Sequence, residues 1–137
     1  MRGAFAKDVA AGCLSIGRGN AKTALSAGIA LGHLMGEIAP QPKREIIFAV
    51  RNRDQAKIAF GFLVGFIEGL HEEDQAQFKL EVETAENGGG LARVIAADGK
   101  SILGRAPTLA ILDERAAWER EKGDNLENAI LSGLGKR

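Results

Sequence analysis

The sequence predicts an α/β domain with a largely parallel central sheet covered by helices on both faces. Short apolar, strand-like runs alternate with longer helical stretches, and two of those runs end in residues that carry chemistry. The composition agrees: 45% hydrophobic and 26% charged residues exclude a disordered polar chain. A chain of 137 residues holds one modest domain with a core.

Residues 9–16 form a short, mostly apolar run of small residues that enters a glycine-bearing stretch at Gly17 and Gly19, as a buried strand entering a loop does. Residues 21–35 are rich in Ala and Leu, and Leu25, Ile29, Leu31 and Leu34 give an approximate helical face. Pro40 and Pro42 punctuate the chain before residues 45–50 (EIIFAV), a run suited to an interior strand. Asn52 or Asp54 then caps a second helix with apolar positions Ile58, Phe62, Phe66 and Leu70 at i+4 spacing. Residues 78–84 alternate apolar and polar side chains as a half-exposed strand does, and Gly88, Gly89 and Gly90 separate them from a partner strand over 91–97. Residues 108–112 (TLAIL) make a further apolar strand, and a last helix covers 126–134.

Bulk properties remove several function classes. Lys plus Arg and Asp plus Glu number 18 each, so no global basic field points to nucleic acid. Cys13 is the only cysteine, which excludes an internal disulfide and cysteine-cluster zinc, fits a reducing cytoplasm, and reads as a small buried residue on a strand. The most apolar stretch, 58–70, is too short to span a bilayer and contains Glu68. Lys7 and Asp8 break up the first residues, so no signal peptide is expected.

Two motifs carry the chemistry. In the first, Gly17, Arg18, Gly19, Asn20, Ala21, Lys22 and Thr23 lie between a strand and an Ala-rich helix, the layout of a phosphate-binding loop. Backbone N–H groups of such a loop cradle phosphates, Lys22 reaches the β and γ oxygens, and the Thr23 hydroxyl joins a Mg²⁺ shell. Ile16 and Ala21 stand at the two formal glycine positions, and a glycine-rich turn with an exposed Lys is the plain alternative. In the second motif, the apolar strand delivers Asp113 and Glu114 at its end. Asp113 suits Mg²⁺, and Glu114 suits a base that polarises the attacking water; a solvated acidic turn is the alternative. A Lys-Thr turn followed about ninety residues later by an Asp-Glu pair is the order a P-loop ATPase of the Glu-bearing class requires.

The loop from Gly17 to Thr23 resembles that of the large subunit of tailed-phage terminase, in which an Arg stands four positions before the Lys. The resemblance continues through residues 51–60 (RNRDQAKIAF), through 103–107 (LGRAP) leading into Asp113 and Glu114, through Trp118, and through the closing residues 131–137. It implies a P-loop NTPase-like three-layer α/β/α fold, truncated, with 1–137 as a partial ATPase domain lacking the adenine-contacting segment, the coupling motif and the nuclease domain. It further implies ATP and Mg²⁺ as ligands, and Arg18 as a residue that senses or stabilises the γ-phosphate. The partners implied are double-stranded DNA, a small terminase subunit and a portal in the full-length protein, in the bacterial host cytoplasm, with a homo-oligomer left open. Another P-loop motor or helicase, or a catalytically silent module of the same fold, stands as the alternative.

The remaining polar residues take plainer readings. Arg53 and Gln55 form a polar cluster at a helix N-terminus, His33 and His71 lack metal-ligand partners at suitable spacing, Trp118 packs, and Glu72, Glu73 and Asp74 are a solvated helix end.

Overall fold

The computed structural model describes residues 13, 21–38, 42–81, 84–96, 107–115, 118 and 120–134. Its centre is β1 (Arg44–Val50), whose residues from Ile46 to Val50 are all buried, as an apolar run with no polar face demands. Alternation along this strand divides the core in two. Ile46, Phe48 and Val50 pack with α1 (Lys22–Leu34) and α2 (Arg53–Glu68), while Ile47 and Ala49 pack with Trp118 and with Leu126 and Ile130 of a C-terminal helix. Helices therefore cover both faces, and the predicted three layers are present.

The sheet runs β2-β3-β4-β1-β5, where β2 is Lys79–Glu81, β3 Thr84–Asn87, β4 Gly90–Ala96 and β5 Leu109–Leu112. β4 and β5 flank β1 in parallel, while β2 and β3 extend the β4 side as an antiparallel ribbon. Close approach explains the glycines at that junction. A Cβ on Gly90 would lie 2.6 Å from the Arg44 carbonyl oxygen, and one on Gly89 would collide with the Arg44 guanidinium. That guanidinium donates from Nε and a terminal nitrogen to the Leu34 carbonyl at 3.0 and 2.9 Å, satisfying an acceptor at the C-terminal end of α1.

Several expectations shift. The strand read over 78–84 is two strands, because Glu81 pairs with Thr84 in an antiparallel reversal and the chain continues as β3. The stripe of Ile58, Phe62 and Phe66 is not the buried face of α2. Those residues are 50%, 40% and 39% exposed, whereas Ala56, Ala59, Leu63 and Ile67 are buried. The two small alanines on this inner face leave room for close packing beside α1, and burying Leu63 contributes roughly 1.5–3 kcal/mol. Asn52 is the cap of α2, its Oδ1 accepting from the Gln55 N–H at 3.0 Å. The acidic trio falls in a separate short helix, α3 (Glu72–Gln75), with Glu72 and Glu73 exposed.

The last helix, α4 (Arg120–Leu134), starts before the expected 126; its first turns are polar and carry no apolar period to mark them in the sequence. Cys13 is exposed and lies in no regular element, where the sequence suggested a buried strand residue; Ala10, Ala11 and Gly12 before it supply little apolar area to drive burial. The rest of the 9–16 strand lies outside the described residues, as do 97–106 and 135–137. Among the described residues, no helix is long and apolar enough to cross a membrane.

Candidate active site

Because β1 and β5 are parallel, their C-terminal ends open on the same side of the sheet. Asp113 continues the ladder one residue past β5, its N–H donating to the Ala49 carbonyl at 2.9 Å. On the same side α1 begins. The two meet in one bond: the Thr23 hydroxyl donates to Asp113 Oδ2 at 2.8 Å, joining residues ninety apart in sequence. Both side chains are only partly buried, so the pair stands at an accessible edge of the core.

The start of α1 is built unusually. Ala21, its N-cap, is left-handed (φ 53°, ψ 38°) and provides no side-chain cap, and the first turn carries no acidic residue. For a residue with a Cβ that conformation costs roughly 1–2 kcal/mol, which is why glycine is the ordinary occupant of such a position. No acidic residue stands within that turn, and the Asp113 carboxylate reaches it through Thr23; the first N–H groups and the positive end of the helix dipole are an arrangement that favours an anion. Lys22, the first helical residue, sits beside them.

Glu114 is likewise left-handed (φ 49°) and exposed, and its carboxylate makes no hydrogen bond among the described residues. Its neighbours are tightly held. The Trp118 indole N–H donates to the Asp113 carbonyl at 3.0 Å, and Trp118 itself is 5% exposed in the core layer beneath α4. Arg115 donates from Nε to Glu127 Oε2 at 2.6 Å and from a terminal nitrogen to Asp124, with its guanidinium carbon 5.3 Å from the Trp118 ring centroid. The Glu127 carboxylate, with burial opposing it and Asp124 assisting, holds the Arg115 guanidinium above its usual pKa.

Of the residues singled out from sequence, Thr23 and Asp113 are in contact, Lys22 and Ala21 adjoin Thr23, and Glu114 follows Asp113. Gly17, Arg18, Gly19 and Asn20 lie outside the described residues. His33 and His71 are not brought to this end; His33 Nε2 is 3.0 Å from Thr108 Oγ1, just before β5. Sequence reading passed over Arg115, Asp124 and Glu127. The available signal was an Arg directly after the Asp-Glu pair, followed by two acids at i, i+3 on a helix.

The donor set at the Thr23–Asp113 contact is one carboxylate and one hydroxyl oxygen. Oxygen donors of this kind suit a hard cation such as Mg²⁺, which typically takes one or two carboxylates plus substrate phosphates and waters. Among the described residues there is no cluster of three or more His, Cys, Asp or Glu side chains.

Comparison with known proteins converges on one lineage. Residues 2–137 match the family "Terminase large subunit, ATPase domain". The terminase large subunit of Enterobacteria phage HK97 is 35% identical over 126 residues, which cover 89% of this chain and 24% of that protein. The crystal structure of the HK97 large terminase superposes with a TM-score of 0.76 at 31% identity, covering 90% of this chain and 26% of that one. The chain thus spans about a quarter of the length of these relatives, and with the family matched over residues 2–137 it belongs to the terminase large subunits, within their ATPase domain.

Proposed function

We propose that this chain binds Mg·ATP between the 17–23 loop and the end of β5 and hydrolyses it, as the ATPase element of a motor that drives double-stranded DNA into a capsid. The observation that carries the reading is the 2.8 Å Thr23–Asp113 bond, because it brings the hydroxyl and the carboxylate of the two sequence motifs to one point. Gly17, Gly19, Asn20 and Ala21 supply backbone N–H groups to the phosphates, Lys22 reaches the β and γ oxygens, and Arg18 adds charge at the γ-phosphate. Thr23 and Asp113 would hold the metal, which when bound would offset charge on the phosphate oxygens.

Glu114 orients water and takes its proton as the water oxygen bonds to the γ-phosphorus. The bond to the bridging oxygen breaks, and ADP leaves with that electron pair. Residues 1–137 act in this reading as part of an ATPase domain whose full protein adds a small terminase subunit, a portal and copies of itself as partners in the host cytoplasm.

Thermal unfolding with and without Mg·ATP tests the binding. At a hundredfold excess over Kd the ligand adds about 2.7 kcal/mol, a rise in midpoint of roughly 8 °C or more for a chain of this size. Lys22→Ala should abolish the rise, while Glu114→Gln should keep it and slow single-turnover hydrolysis by about 100-fold or more. No shift in the parent at millimolar Mg·ATP would sink the nucleotide site and favour a silent module of the same fold.

A further inference from the structure

The geometry points to Arg115 and Trp118 as positioning residues that set the aim of Glu114 by clamping its turn to α4. The inference rests on the reading of Glu114 as the residue that orients water. Among the described residues Glu114 has no hydrogen bond of its own to direct it, and its carboxylate is exposed. Its direction follows from its backbone, and that backbone is in a left-handed state that residues bearing a Cβ rarely hold unless their surroundings over-determine it.

Here the surroundings do so from both sides. Before Glu114, the Asp113 N–H is tied to Ala49 and the Asp113 carbonyl to the Trp118 indole, at 2.9 and 3.0 Å. After it, the Arg115 carbonyl accepts from the Trp118 N–H at 3.2 Å, closing the turn. The Arg115 side chain is then held on three counts: by Glu127, by Asp124 and by the Trp118 ring. α4 is itself fixed, since Leu126 and Ile130 are buried against Ile47 and Ala49 of the central strand. A continuous path of contacts runs from β1 through α4 to the residue proposed to face water.

The same contacts argue against Arg115 as a direct phosphate ligand. Its Nε and one terminal nitrogen are committed to α4 carboxylates and its face lies by the indole, so most of its donor capacity is spent on α4. A positioning role then predicts a loss in the chemical step with little change in nucleotide affinity, because small misplacement of a reacting group is costly in rate.

Single-turnover hydrolysis of Mg·ATP by the full chain, with Kd read from the nucleotide-dependent thermal shift, separates the possibilities. Arg115→Ala and Trp118→Phe should each slow the step by about 10- to 100-fold with Kd within about twofold of the parent. Arg115→Lys, which keeps one carboxylate partner, should recover part of the rate. In the Glu114→Gln background Arg115→Ala should cause no further loss, since a residue acting only through Glu114 has nothing left to position. Should Arg115→Ala fail to fold, Trp118→Phe and Glu127→Gln carry the same test. A parent-like rate for these variants, an equal loss with and without Glu114, or a weakened Kd at unchanged rate would each overturn the proposal while leaving the ATPase reading intact. A folded parent that binds Mg·ATP without hydrolysing it would remove the reading of Glu114, and this inference with it.

Discussion

Helix α1 is latched to β5 at both ends by a side-chain hydrogen bond, and the two latches differ in kind. At the site end Thr23 donates to Asp113; at the opposite end His33 meets Thr108, the residue just before β5. The far latch is sealed. His33 is 3% exposed, and the Thr108 hydroxyl donates to the Glu45 carbonyl while accepting from the Glu45 N–H, so its remaining lone pair takes the proton of His33 Nε2. Every capacity of that hydroxyl is used. The near latch is partly exposed and joins a hydroxyl to a carboxylate with acceptor capacity to spare, and under the proposed function it would be exchanged for contacts to a metal and phosphates. One end of the pairing holds the fold together, and the other holds two groups ready.

Substitution at each latch should separate these roles, and the far latch should give the larger stability effect. His33→Ala leaves a cavity and a hydroxyl without its donor, and we expect a loss of about 2–3 kcal/mol in denaturant unfolding. The Mg·ATP-induced shift should persist in the folded fraction. Thr23→Val should lose about 1 kcal/mol or less, since a part-buried hydrogen bond is worth little net, yet abolish the response to Mg·ATP. Equal stability losses at the two positions would contradict the division.

That contrast also marks what could be read from the chain alone. β1 and β5 were legible because short apolar runs such as EIIFAV, bounded by proline or charged residues, suit interior strands, and α1 because of its Ala- and Leu-rich helical face; the motif residues adjoin these elements. β3 was not, since Thr84–Asn87 (TAEN) has no apolar alternation and becomes a strand through backbone pairing with β4 across the glycine turn. The face of α2 was misplaced because the helix is apolar around most of its girth, and periodicity cannot say which side the sheet will cover. At the site, Thr23 and Asp113 carried their chemistry in their spacing, whereas the Arg115 clamp exists only once α4 has packed. His33 looked isolated for a similar reason: its partner is 75 residues away.

A smaller effect of the far latch appears with pH. Burial, and then the nearby Arg44 guanidinium, hold the His33 imidazole below its ordinary value of 6.5. Between the folded and unfolded values the unfolded chain binds more protons, so stability rises with pH across that window. The contribution is fully present above about 6.5 and is lost as pH falls through the lower folded value. His33→Gln, which keeps a donor at the Nε2 position but does not titrate, should flatten the decline below about pH 6.5 relative to the parent. An unchanged slope would assign the decline to other groups.

The smallest effect is expected at the near latch, one residue before Lys22. Ala21 holds a left-handed φ of 53° that disfavours any side chain, so Ala21→Gly relieves strain in the folded state. Glycine also gives the unfolded chain more freedom, which offsets part of that gain. The net should be a stabilisation of about 0.5 kcal/mol, or a midpoint rise of roughly 2 °C. Nucleotide binding gives the more telling measurement, since removing the Cβ clears the backbone at the start of α1 where phosphate oxygens would approach. Ala21→Gly should tighten Mg·ATP binding in the same thermal-shift titration, and in the Lys22→Ala background it should restore nothing, because the cradle would lack its cation. If Ala21→Gly lowered the midpoint and left affinity unchanged, the left-handed alanine would be a tolerated feature of the turn with no bearing on the site.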